Sequence, residues 1–297
     1  SVAGGPDGIA VHLRPCRSPM KQEARSLLPK SEEPVVLLGV LLVFLFPAIG
    51  GLLFGFDVGT TALVVSRLTG EEEAGGLKTI CAMSASVAGA FFGSILAFAV
   101  ADPLGRRREL LLGSFLYGLG ASVTLLRSRF DEVTDLAFVV VVLGRTIYGV
   151  GEAFALHGMS SYCSEMSPPF LRGSMTSGRE VFIVSGILIG NCMGAFLDDT
   201  EDGWMQVYVI QVCLATVMFV GMYSLPPSAR WLALKGRHDE VAQSLQFIFP
   251  VEIAQSTAQD ILVQLRGLGG KAPPSRGFFG DLVRLFGSVE YRPQLIC

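Results

Sequence analysis

An all-α integral membrane fold follows from three observations on this 297-residue chain. Hydrophobic residues make up 51% of it and charged residues only 16%, where an average soluble chain carries roughly 25% charged residues. Mean hydropathy is +0.52. Six stretches approach the length of about 20 residues that a helix needs to cross the hydrocarbon core, and all are nearly free of charge. Length alone would suggest about two soluble domains, and hydropathy replaces that reading with six spans. The net charge of −3 lacks the basic surplus of a nucleic-acid binder.

The elements follow in order. Residues 35–56 are uncharged, and the apolar pattern continues past Asp57 to about residue 65. Further runs cover 79–101, 110–126, 136–164 (interrupted by Arg145 and Glu152), 181–197 and 204–229. None shows the alternation of polar and apolar faces expected of a soluble amphipathic helix. Residues 1–34 hold no apolar span and read as a flexible tail. A targeting remnant is weakened by Asp7 and Glu23. Residues 230–290 are polar again and predict amphipathic helices, with a Gly/Pro-rich linker near 267–274.

Basic residues set the orientation. Arg14, Arg17, Lys21, Arg25 and Lys30 precede the first span, Arg106 to Arg108 join the second to the third, and Arg172 and Arg179 join the fourth to the fifth. The opposite loops carry Glu71 to Glu73 and Asp198, Asp199, Glu201 and Asp202. Both the tail and the segment after the sixth span are therefore expected on the cytoplasmic side, or the stromal side of a plastid.

Glycines at intervals of four, Gly51/Gly55/Gly59 and Gly186/Gly190/Gly194, with Gly89/Gly93, predict close helix packing. The six cysteines and three histidines show no metal-ligand spacing, and no cofactor is expected. His157 reads as a packed histidine. No set of nucleophile, base and orienting group is visible, which argues against an enzyme.

Asp57, Arg145, Glu152 and Glu180 fall in or at the edge of spans, where ionisable groups are costly and mark either function or pairing. A carboxylate with an arginine partner on another helix can take up and release a proton as the protein changes shape, or the two can form a static pair that orients the helices. Glu152 lies seven residues from Arg145, two turns along the same face. It competes for the cation or lines a wet cavity.

Five motifs resemble one known family. Gly50 to Asp57 (GGLLFGFD) resembles the first-helix signature of sugar porters in the major facilitator superfamily. Asp102 to Arg108 (DPLGRRR) resembles the loop after its second helix, and Gly144-Arg145 with Tyr148 to Gly151 the start of its fourth. Glu165 to Gly173 (EMSPPFLRG) and Pro226 to Leu232 (PPSARWL) resemble the motifs after its fourth and sixth helices. The match covers about residues 35–297, and the stretches 101–110 and 181–190 look most like the plant and algal plastid or vacuolar hexose–proton symporters, D-xylose type.

The resemblance implies the six-helix N-terminal half of a major facilitator fold, with residues 291–297 starting a seventh helix. It implies a proton-coupled transporter of a hexose or pentose. Asp57 is then the proton-coupling carboxylate with Arg145 as partner, Phe54 and Glu180 contact sugar, and Asp102, Arg106, Arg107, Glu165, Arg172 and Arg230 form a gating charge network. The sequence departs from the family pattern at Phe98, Pro103, Pro227 and Ala229, the last two costing the post-sixth-helix motif its carboxylate and proline. The expected partners are a monosaccharide, a proton, the lipid bilayer, and a C-terminal half or other membrane subunits. The expected site is a plastid or vacuolar membrane, with the plasma membrane as alternative. A non-transporting structural subunit of a membrane complex is the second reading.

Overall fold

The computed structural model describes residues 34–69, 76–130, 135–200 and 202–267. The N-terminal tail, the linker beyond Gly267 and the seventh-helix start lie outside the described residues. Six long helices follow one another: α1 (Leu37–Thr69), α2 (Leu77–Leu104), α3 (Arg106–Leu125, extended by a 3-10 turn, Leu126–Arg129), α4 (Asp135–Met166), α5 (Arg172–Leu197) and α6 (Gly203–Ser224). All six are long and apolar enough to cross a membrane. Three short helices come next, α7 (Ala229–Leu234), α8 (His238–Leu245) and α9 (Val251–Gly267). No strand occurs among the described residues.

Two boundaries differ from the hydropathy reading. The sixth helix ends at Ser224 rather than near residue 229, because Pro226 and Pro227 lack the N–H that would continue it. The fifth begins at Arg172, nine residues ahead of the apolar run at 181. Its first turns are Gly, Ser, Thr and Arg, which form helix but carry no hydropathy signal. Between α2 and α3 the chain turns at Gly105, whose φ of +86° suits glycine. A Cβ there would lie 2.7 Å from the Trp231 ring. Pro47 sits inside α1, so Val43 O loses its N–H donor four residues on. The Cys163 thiol of α4 approaches that oxygen at 3.9 Å.

α4 lies between α2 and α3, α1 runs along α5, and α6 packs on α3 and α1. Glycine makes these approaches close. A Cβ on Gly55 would fall 2.0 Å from Ile183 O, and one on Gly186 2.3 Å from Leu52 O. A Cβ on Gly149 would fall 1.9 Å from Ser86 O, so α2 and α4 also meet backbone to backbone. The short helices close the arginine-rich end: Val36 N donates to Ile248 O at 2.7 Å, and Leu232, Val241 and Ile248 are buried. α5 is the least buried span, at 22%, with Val184, Leu188 and Phe196 exposed. Such a surface suits lipid or another membrane segment rather than water.

Candidate functional site

The inner faces of α1, α2, α4 and α6 converge on Arg145, which is 2% exposed. Its Nη2 donates to Asp57 Oδ2 at 3.2 Å and its Nη1 to Asp57 Oδ1 at 3.5 Å, a two-pronged pair between α4 and α1. Neutral acceptors complete the cradle. Thr61 Oγ1 lies 3.0 Å and Ser86 Oγ 3.2 Å from Nη2, and Tyr208 OH lies 3.2 Å from Nη1. Gln211 Nε2 donates to Asp57 Oδ1 at 3.3 Å. The site is not saturated: Arg145 Nε and Gln211 Oε1 are buried without a partner among the described residues. A charge this deep needs a counter-charge with hydrogen bonds to spare, and the two-helix pair supplies the counter-charge.

Sequence reasoning named Asp57 and Arg145 but missed Thr61, Ser86, Tyr208 and Gln211. Their signal was weaker, a single uncharged polar side chain within an apolar run. Two tyrosines next to the pair donate to α1 carbonyls, Tyr148 to Leu53 O and Tyr117 to Gly50 O, both at 3.1 Å, with their rings 4.6 Å apart. Glu152 lies beyond them, 6% exposed, within electrostatic reach of Asp57 and Arg145. No hydrogen bond or ion pair reaches its carboxylate among the described residues.

Phe54 and Glu180 are placed apart from this cluster. Phe54 is half-buried on α1. The Glu180 side chain is 59% exposed and pairs with its own neighbour Arg179 at 2.5 Å. Arg179 also donates to Ser160 Oγ at 2.6 Å. That turn of α5 packs against Gly51, one turn of α1 from Phe54.

At the arginine-rich end, part of the expected charge network assembles. Arg106 Nε donates to Glu165 Oε1 at 3.2 Å, and Arg106 Nη1 to Asp102 Oδ1 at 3.0 Å. Glu165 Oε2 accepts from Ser228, which also caps α7 by accepting from Trp231 N at 3.2 Å. Trp231 Nε1 donates to Asp102 O at 3.0 Å. Ser228 and Trp231 therefore fasten a motif that has lost its carboxylate.

Arg107 does something else. It donates to Met222 O and Tyr223 O at the end of α6, the carbonyls that Pro226 and Pro227, four residues on, leave without a helical donor. Arg172 and Arg230 form no ion pair among the described residues. Both side chains are exposed at the first turns of α5 and α7, so the six-residue network expected from the motifs reduces to Asp102, Arg106 and Glu165, with Arg107 beside it. A cleft of about 520 Å³ adjoins Arg107, Pro227 and Ser244 rather than the Asp57–Arg145 pair.

The histidine read as packed is also paired. His157 Nδ1 lies 2.5 Å from Glu109 Oε1, and the Phe98 ring sits 5.2 Å from the imidazole.

Comparison with known proteins places these features. The family model described as "Sugar (and other) transporter" matches residues 43–296. A D-xylose-proton symporter-like 2 protein of Arabidopsis thaliana is 37% identical over 75% of this chain and 43% of its own length. A chloroplastic D-xylose-proton symporter-like 3 protein of the same plant is 39% identical over 71% of this chain and 38% of its own. The chain thus spans less than half the length of these relatives. Among solved structures, the partially occluded inward-open xylose transporter XylE of E. coli superposes with a TM-score of 0.69 at 22% identity, covering 78% of this chain and 60% of that one. The fold is that of a major facilitator transporter half.

Proposed function

Because this chain belongs to the sugar (and other) transporter family, we propose that it forms the N-terminal half of a proton-coupled monosaccharide transporter. The observation that carries the reading is the buried Asp57–Arg145 pair between α1 and α4. A proton arriving at Asp57 cancels the charge that holds the guanidinium. Arg145 keeps its hydrogen bonds to the neutral acceptors Thr61, Ser86 and Tyr208 but loses its counter-charge. The α1–α4 contact then loosens, and a binding event becomes a change of shape. Sugar hydroxyls meet the exposed carboxylate of Glu180, which accepts charge-assisted hydrogen bonds, and the ring of Phe54 packs against the sugar's apolar face. Asp102, Arg106 and Glu165 hold the arginine-rich end closed and part when the halves rock about the central site.

The relatives are described as D-xylose-proton symporter-like proteins, which favours a pentose or hexose as cargo. One of them is described as chloroplastic, which favours a plastid membrane, the vacuolar membrane being the other candidate. The two-sided cavity requires a second six-helix half.

The test is Asp57→Asn in the full-length transporter, reconstituted in vesicles. Sugar-driven proton uptake is expected to vanish while sugar exchange persists, and unchanged proton uptake would sink the assignment. Co-purification of a native six-span polypeptide in fixed ratio with unrelated membrane subunits would favour the structural-subunit reading instead.

A further inference from the structure

Glu109 is the most completely buried carboxylate among the described residues. It sits in the first turn of α3 at 0% exposure, where its Oε1 meets His157 Nδ1 at 2.5 Å and its Oε2 has no partner. The position is about 18 Å along α4 from Arg145 (twelve residues at about 1.5 Å each), so it is separate from the Asp57 pair. An anionic carboxylate this deeply buried, with one oxygen unpaired, is tolerated only beside a positive charge. Imidazolium provides that charge, with one proton shared between Nδ1 and Oε1, and the bare Oε2 offers an acceptor for a second. The His157 side chain is 29% exposed, and no described residue bonds its other ring nitrogen, so protons can enter from that side.

The charged groups facing the pair are few. Asp102 approaches from α2, and Arg106 from one turn back along α3. Arg106 is the residue that ties Asp102 to Glu165. The Phe98 ring covers the imidazole from α2, giving a packing role to a residue that departs from the family pattern. With one proton the pair is neutral and Arg106 is committed to its two carboxylates. A second proton makes the pair cationic beside Arg106, and repulsion loosens the same contact.

We propose that Glu109 and His157 form a proton-binding site distinct from Asp57, open to the arginine-rich side, whose occupancy biases the Asp102–Arg106–Glu165 contact. The ligand is a proton from water, and no other bond is made or broken.

The experiment uses the chain with 15N-labelled histidine in lipid nanodiscs, the His157 signal being identified by its loss in His157→Gln. A low-field proton resonance correlated with His157 Nδ1 is expected in the unmodified chain and absent in Glu109→Gln. The latter should also displace the His157 titration midpoint by about one pH unit or more. In a Trp204→Phe background, Trp231 emission should step at the pH where His157 titrates, because Trp231 packs on Gly105 and bonds Asp102 O.

Absence of the low-field resonance, an unmoved midpoint in Glu109→Gln, or flat Trp231 emission across the titration would overturn the proposal. If Glu109→Gln does not fold, the resonance and the Trp231 step in the chain carrying Glu109 still decide it. None of these readings depends on sugar transport, so failure here is separable from failure of the symport reading.

Discussion

Asp57 and Arg145 hold each other in a place where neither can stand alone. Removing one partner of a buried pair strands the other, at a cost of about 3–5 kcal/mol. Asp57→Ala should lower the thermal midpoint of the purified protein in detergent accordingly, and adding Arg145→Met should restore most of the loss. A double variant that is worse than the sum of the two single ones would contradict the pairing. Glu152 has the opposite expectation. It has burial without a partner, and a charged or strongly polar group mid-membrane costs about 2.5–3.5 kcal/mol on insertion scales. Glu152→Leu should therefore leave the midpoint unchanged or raise it, and a clear fall would show that the carboxylate has a structural partner. At this scale the sequence was half legible. A charge in an apolar run announces itself, as Asp57 and Arg145 did. Thr61, Ser86, Tyr208 and Gln211 did not, because one neutral polar group in a span is common and its target lies 59 to 154 residues away along the chain. Glu109 and His157 escaped for a related reason: each lies near the edge of its run, and only the packing of α3 on α4 unites them.

Elements are held at distances that a side chain would forbid, and the glycines that permit this are not equivalent. All of Gly51, Gly55, Gly59, Gly186, Gly190 and Gly194 share one spacing in the sequence, yet a Cβ on Gly55 would lie 2.0 Å from a backbone oxygen and one on Gly194 3.8 Å from Leu63 Cβ. Gly55→Ala must push α1 and α5 apart, costing about 1–3 kcal/mol or more. Gly194→Ala fits in ordinary contact and removes a glycine from a helix interior, a gain of up to about 1 kcal/mol. Thermal midpoints of the two variants should move in opposite directions, and movement together would remove the close-approach argument. Spans were legible because hydropathy needs no partner. Their ends were less so: α6 stops at two prolines within a run scored as apolar, and the compensation for those prolines, Arg107, comes from a helix about 115 residues earlier. Its motif suggested an ion pair, whereas the structure gives it two carbonyls.

Orientation is a property of the whole bundle, and it follows from where the arginines gather. Arg106, Arg107 and Arg108 open α3, Arg172 and Arg179 lie in the first turns of α5, and α7 to α9 cover the same end. The far end carries Lys78, paired with Asp135 at 3.5 Å, and Arg127 and Arg129. Lysine and arginine resist translocation, so the richer end is retained on the side of synthesis. His238 is exposed at the start of α8 on that richer end. In a background with the native cysteines replaced, His238→Cys should react with a membrane-impermeant maleimide only when the cytoplasmic (or stromal) face is presented to the reagent. Thr200→Cys, placed in the turn between α5 and α6, should react only from the opposite face. Labelling of both positions from one face would mean an even number of crossings between them, which is incompatible with α6 as a span. Labelling of each from the wrong face would invert the bundle. In that case the Glu109–His157 site would face the lumenal or external solution, and the direction in which Asp57 takes up its proton would have to be reassigned with it.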